Sequence, residues 1–126
     1  MDNLIIEATS QTPQVELNNS GALSIAGVST LSHAHKFYVE IIDWLNEFKK
    51  TNPSAVTLTL SMYYANTSSA LMFVDILRTV NSFKSNASTV RIAWRYEEDD
   101  EDILSFGEQL QVASNSKFDF EIISPG

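Results

Sequence analysis

Three consecutive hydroxyl residues, Thr67, Ser68 and Ser69, follow Asn66 where the alternating stretch "AVTLTLSM" gives way to the helical periodicity of "TSSALMFVDIL". Side chains of this kind can do two things there. A short polar group at the N-cap accepts a hydrogen bond from one of the first N–H groups of a helix, which have no carbonyl partner of their own. A hydroxyl can also be phosphorylated, because the same N–H groups and the positive end of the helix dipole favour an anion. Projection at about 100° per residue separates the three. Ser69 falls with Phe73, Ile76, Leu77 and Val80 on the arc that faces a core, so it is half-buried. Thr67 falls with Leu71, Val74 and Arg78 on a stripe outside that arc, and Ser68 points to the other outer side. Asn66 is thus the expected cap, Thr67 the hydroxyl that a kinase can reach, and Leu71, Val74 and Arg78 the stripe that a partner would lean on.

Other groups able to do chemistry point elsewhere. His33 and His35 lie two apart at the start of a helical segment, where they do not share a face, and no third ligand stands at helical spacing, so no metal is expected. The run Glu97-Glu98-Asp99-Asp100-Glu101-Asp102 follows a strand and opens a helix, where carboxylates suit the dipole. It also sits on the edge of the sheet expected to carry Thr67, where it could complement a basic partner. Trp44 and Trp94 occupy inward positions of their periods. Thr12-Pro13 is a turn that offers a second modification site. The chain has four glycines, no glycine-rich phosphate loop and no G-x-S-x-G elbow, so neither an enzyme nor a cofactor is expected.

The elements that must position these residues follow from periodicity. "NLIIEA", "PQVELN" and "GALSIAGV" are short apolar pieces separated by turn residues, hence three strands. From His33 to Lys50, Phe37, Ile41, Trp44, Leu45 and Phe48 recur at helical spacing, and Asn52-Pro53 ends the run. Strand "AVTLTLSM", a helix from Thr67 to about Lys84, strand "TVRIAWR", helix "DDEDILSFGEQLQVA" and strand "FDFEII" complete the order β-β-β-α-β-α-β-α-β. The alternation of the later strands predicts one helix-covered and one more polar sheet face, since a sheet covered on both sides would read as continuous apolar runs. The expected fold is a two-layer α/β domain spanning residues 1–126, with a mixed sheet and helices mainly on one face.

Composition bounds the partners. Sixteen acidic against eight basic residues give a formal charge of −8, which repels a phosphate backbone and excludes nucleic acid as the natural partner. There is no cysteine, no basic-then-apolar leader at Met1 and no apolar run long enough to span a bilayer, so no membrane insertion and a cytoplasmic location are expected.

"YANTSS", "TSQTP" at Thr9 to Pro13, "IIDWL" and "IAWRY" together resemble the SiaC family of small regulatory phosphoproteins, whose fold is similar to the STAS domains of anti-sigma factor antagonists. The resemblance spans essentially the whole chain. In those antagonists the junction reads Asp-Ser-Ser-Gly with the first Ser phosphorylated. Asn66-Thr67-Ser68-Ser69 matches it by position, with Asn in place of Asp and Ser69 in place of Gly, which puts Thr67 in the phosphoacceptor place. The resemblance implies a partner switch. A dedicated protein kinase phosphorylates the threonine, a PP2C-type phosphatase removes the phosphate, and the unphosphorylated form binds and activates a diguanylate cyclase, so that cyclic di-GMP output and biofilm or aggregation follow. Two alternatives stay open from the residues alone: a constitutive interaction module in which Thr67 is only a helix cap, and a protein with an anti-sigma factor antagonist-like partner. Ser68 and Thr12 are the further candidate hydroxyls for modification.

Overall fold

The computed structural model describes residues 1–123. β1 (Leu4–Ile6), β2 (Gln14–Leu17) and β3 (Ala22–Ser29) form an antiparallel meander. Then α1 (Ala34–Lys49), β4 (Ala55–Ala65), α2 (Thr67–Asn81), a 3-10 turn (Ser82–Asn86), β5 (Thr89–Glu97), α3 (Glu101–Ser114) and β6 (Phe118–Ile123) follow. β3, β4, β5 and β6 pair in parallel, and the spatial order β1-β2-β3-β4-β5-β6 repeats the chain order. Each parallel connection therefore advances one strand in the same direction, and right-handed crossovers that all advance the same way put every helix on one face. The result is the expected mixed sheet with one helical layer.

That layout explains the alternating strands. Val56, Leu58, Leu60 and Met62 of β4 are buried under the helices, whereas Thr57, Thr59 and Ser61 are only half-buried on the opposite face. Tyr38, Ile41, Leu45 and Phe48 from α1 and Phe73, Ile76, Leu77 and Val80 from α2 close the core. Each such side chain contributes about 1.5–3 kcal/mol by leaving water. On the uncovered face Arg91 reaches across to Asp119 (2.7 Å) and Glu121 (2.6 Å) on β6. Gly21 makes the β2–β3 turn possible, with φ of 97° and a backbone so near the Ala55 carbonyl that a Cβ would collide with it.

Several details depart from the sequence reading. On α1 it is Tyr38 that is fully buried, while Phe37 is half-buried and packs edge-on against it at 4.8 Å between ring centres. Trp44 lies at the rim of the core, where its indole N–H donates to the Asp2 carbonyl (2.9 Å), whereas Trp94 is fully buried and donates to the Ile103 carbonyl (3.1 Å). α2 stops at Asn81 rather than near Lys84. The Ser82 hydroxyl donates to the Thr79 carbonyl and the Ser85 hydroxyl to the Ser82 carbonyl, side-chain bonds that compete with helical ones and tighten the chain into the 3-10 turn. β4 runs on to Ala65, three residues past Met62.

Candidate functional site: the β4–α2 junction

At the C-terminal end of β4 the register against β3 slips: Gly27 faces Met62, but Val28 faces Tyr64, which leaves Tyr63 as an extra residue. Such a bulge breaks the alternation of faces. Tyr63 and Tyr64 are consequently both exposed, at 59% and 55%. Asn66 then ends the strand with extended backbone and caps α2, its Oδ1 accepting from the Ser69 N–H at 3.0 Å. Its Nδ2 donates to the Leu31 carbonyl (2.9 Å) and its own N–H donates to the Ser29 carbonyl (3.0 Å). An aspartate could cap but could not donate to Leu31, which accounts for the amide at this position. The cap is Asn66, so the alternative in which Thr67 serves as the cap is corrected.

The three hydroxyls have different fates. The Ser69 side chain is fully buried, 2.6 Å from the Ser29 hydroxyl, which also accepts from Tyr38 Oη at 2.7 Å. Ser69 Oγ in turn lies 3.3 Å from the Ser29 carbonyl, so Tyr38, Ser29 and Ser69 form one chain of donors and acceptors tying α1, β3 and α2 together. Burial pushes the Tyr38 phenol up to about 12, against a smaller lowering by its bond to Ser29. Ser68 is half-buried and accepts from the Ala34 N–H (3.2 Å) at the start of α1, where His33 supplies no side-chain cap. Thr67 is exposed, and no side chain among the described residues bonds its hydroxyl. It stands at the first helical position, where N–H groups lack intrahelical acceptors.

Along α2, Leu71 is 67% exposed, Val74 is half-buried against the core, and Arg78 is exposed with its Nη2 donating to the Ala113 carbonyl (3.0 Å) in the last turn of α3. A cation there suits the negative end of that helix. Of the expected stripe, Leu71 is thus the free member, while Val74 and Arg78 are partly committed to the fold. Sequence reasoning missed Tyr63 and Tyr64, which share this end of the molecule with Thr67. The signal available was two adjacent tyrosines at a strand end, but the bulge that exposes both belongs to the pairing with β3, where the register shifts between Gly27 and Val28.

The surroundings are acidic. β4 and β5 are parallel neighbours, so the run from Glu97 to Asp102 leaves the sheet at the same end as Thr67. Asp100 caps α3 by accepting from the Ile103 N–H (3.0 Å), and Glu98, Asp99, Glu101 and Asp102 are exposed. The Thr9–Pro13 turn reaches this end too, since the Thr30 N–H donates to the Gln11 carbonyl (3.0 Å). Thr12 there is half-buried with its hydroxyl 2.6 Å from that of Thr9. His33 and His35 are exposed, and no group of three or more His, Cys, Asp or Glu suited to a metal ion occurs among the described residues. No described helix is long and apolar enough to cross a membrane.

A family model described as SiaC family regulatory phosphoprotein matches residues 6–124. An uncharacterized protein of Pseudomonas aeruginosa (strain UCBPP-PA14) is 27% identical over 112 residues, covering 88% of this chain and 89% of that protein. Among solved structures, apo-SiaC from Pseudomonas aeruginosa superposes with a TM-score of 0.84 at 26% identity, covering 98% of this chain and all of the other. SiaC described as the activator of the diguanylate cyclase SiaD, in complex with it and from the same organism, gives 0.87 at 25% identity, covering 95% and 99%.

Proposed function

The chain belongs to the SiaC family of regulatory phosphoproteins, and from that premise we propose that it is a phosphorylation-controlled activator of a diguanylate cyclase, with Thr67 as the acceptor. The observation that carries this reading is the sorting of the three hydroxyls: Ser69 is buried, Ser68 holds the start of α1, and Thr67 alone is exposed with its side chain uncommitted. The complex of a relative with its cyclase supports the class of partner. The unphosphorylated form binds through Thr67, Leu71 and the adjoining Tyr63 and Tyr64, flanked by Val74 and Arg78. A dedicated kinase and a PP2C-type phosphatase set the state of Thr67, and the protein works in the cytoplasm without catalysing a reaction.

The physics of the switch is local. Phosphate on Thr67 adds about −1.5 to −2 charges. In the free protein the N-terminus of α2 offsets part of that by about 0.3–1 kcal/mol, so the fold tolerates it. In a complex that covers Thr67 and Leu71, the same group must shed water among apolar side chains beside an acidic run. An uncompensated buried charge costs about 3–5 kcal/mol. At about 1.4 kcal/mol per tenfold, this lowers affinity by two orders of magnitude or more without a conformational change.

The test is capture from lysates of the source cells with wild type and Thr67→Asp, together with phosphosite mapping of the endogenous protein. Phosphate at Thr67, and a diguanylate cyclase retained by the unmodified protein alone, is the expected result. An endogenous protein never modified at Thr67, with both baits retaining the same partners, would leave a constitutive module in place of a switch.

A further inference from the structure

β6 ends the sheet, and its outward edge has no neighbour among the described residues. The Thr89 N–H donates to the Ser54 carbonyl, so Thr89, Arg91, Ala93 and Arg95 turn their backbone groups toward β4, and the alternate residues of β5 turn theirs toward β6. With Ile92 opposite Phe118, the β6 residues that answer β5 are Asp119, Glu121 and Ile123. Phe118, Phe120 and Ile122 therefore point their N–H and C=O groups outward. The Phe118 N–H is already taken by Gln111 Oε1 at 2.8 Å, a side-chain amide standing where the carbonyl of a seventh strand would stand. The N–H groups of Phe120 and Ile122 remain.

Edges of this kind are normally blunted by shortness, proline, lysine or a bulge. β1, at the opposite edge, is only three residues long; β6 has six, with no proline, lysine or bulge within it, and its charged residues are the two acids Asp119 and Glu121. Its helix-side face also stays apolar past the cover of α3, with Phe120 half-buried and Ile122 52% exposed. On the other face Asp119 and Glu121 line the edge, held from the β5 side only, by Arg91 and, at 3.8 Å from Glu121, by Arg95. The acidic Glu97–Asp99 segment and Ile123 lie together at the end of the strand.

We propose that the β6 edge is a strand-addition site for an extended segment of another protein that alternates basic and apolar residues. Backbone bonds to Phe120 and Ile122 hold such a segment, its apolar residues extend the Phe120–Ile122 face, and its lysines or arginines lie beside Asp119 and Glu121. Charge decides against a second copy of this chain as the occupant. Antiparallel pairing of two β6 strands would set Asp119 and Glu121 against their own counterparts, and like charges directly opposite are unfavourable. The site is separate from Thr67 and stands whether or not Thr67 is a switch.

The full-length, isotopically labelled protein is titrated with a blocked seven-residue peptide alternating Lys and Val, with amide shifts and hydrogen exchange as readouts. Expected are shifts centred on Phe120 and Ile122, exchange slowed at least tenfold at those two amides, and unchanged affinity in Thr67→Asp. The same peptide N-methylated at alternate residues should bind at least tenfold more weakly, and a Glu/Val peptide should not bind. Ile122→Pro, which removes an outward donor, should abolish binding; the N-methylated peptide serves if that variant does not fold. Shifts confined to other surfaces, no shift up to millimolar peptide, indifference to N-methylation, or self-association of the protein through β6 would each overturn the proposal.

Discussion

Replacing Tyr38 by Phe tests the buried hydroxyl chain behind the junction. The Tyr38 hydroxyl is the donor to Ser29, and its removal leaves Ser29 and Ser69 bonded to each other with one acceptor position empty in a dry site. At neutral pH that loss should cost about 1 kcal/mol. At high pH the sign reverses. The phenol is raised from 10.0 to about 12 in the folded protein, chiefly because burial disfavours its anion. A group whose folded value is raised contributes its full stability below the unfolded value and loses it as pH climbs through the folded one. Wild type should therefore lose about 2 kcal/mol between pH 10 and 12 on account of this residue, most of the limit set by about 1.36 kcal/mol for each unit of the two-unit rise. The Phe variant has no such loss, so the two stability curves should cross near pH 11, roughly where the accumulated loss passes the neutral-pH deficit. Urea unfolding of both proteins from pH 7 to 12 measures the difference directly, and the other titrating groups cancel in it. A gap that stays constant across the range would refute the burial of an ionisable Tyr38 in this network.

Three further changes probe the rest of the structure. Asn66→Ala removes both the α2 cap and the bond to Leu31 and should cost about 1–2 kcal/mol, whereas Asn66→Asp keeps the cap and should recover much of this in thermal unfolding. Leu71→Ala and Tyr64→Ala change exposed side chains and should shift stability by no more than about 0.5 kcal/mol, yet each should weaken cyclase binding at least tenfold by calorimetry if the junction is the interface. Gly107→Ala places a Cβ 2.5 Å from the Trp94 indole nitrogen, inside a stack that includes Phe118. It should destabilise by about 1–3 kcal/mol and alter the near-ultraviolet signal of that tryptophan.

What the sequence could reveal divides along the range of the interactions. The alternation in Val56 to Met62 and the helical arc through Ser69, Phe73, Ile76 and Val80 depend only on neighbours in the chain, and the inward positions came out as the periods predict, although Ser69 is fully rather than half-buried and Val74, placed off the arc, packs partly against the core. The order of strands within the sheet is not contained in any period. The burial of Tyr38 instead of Phe37 turns on which ring reaches Ser29 and Phe73, a contact between three elements. Ser68 looked like a spare hydroxyl because its partner, the Ala34 N–H, is 34 residues away. The exposure of Tyr63 with Tyr64 depends on a register slip shared with β3. The Asn66 cap and the exposure of Thr67 were legible, and the cooperation of α1 and β3 in fixing the junction was not.

The coincidence of strand order with chain order has a consequence for how the protein is made. As the chain leaves the ribosome, every strand after the first finds its only earlier neighbour already synthesised, and no strand must wait between two partners for a third to be threaded in. The sheet can lengthen from one side, one strand and one helix at a time, with the loop to be closed at each step only about as long as the intervening helix. Closure entropy grows slowly with loop length and contact order limits folding rate, so such growth needs no slow search at its end.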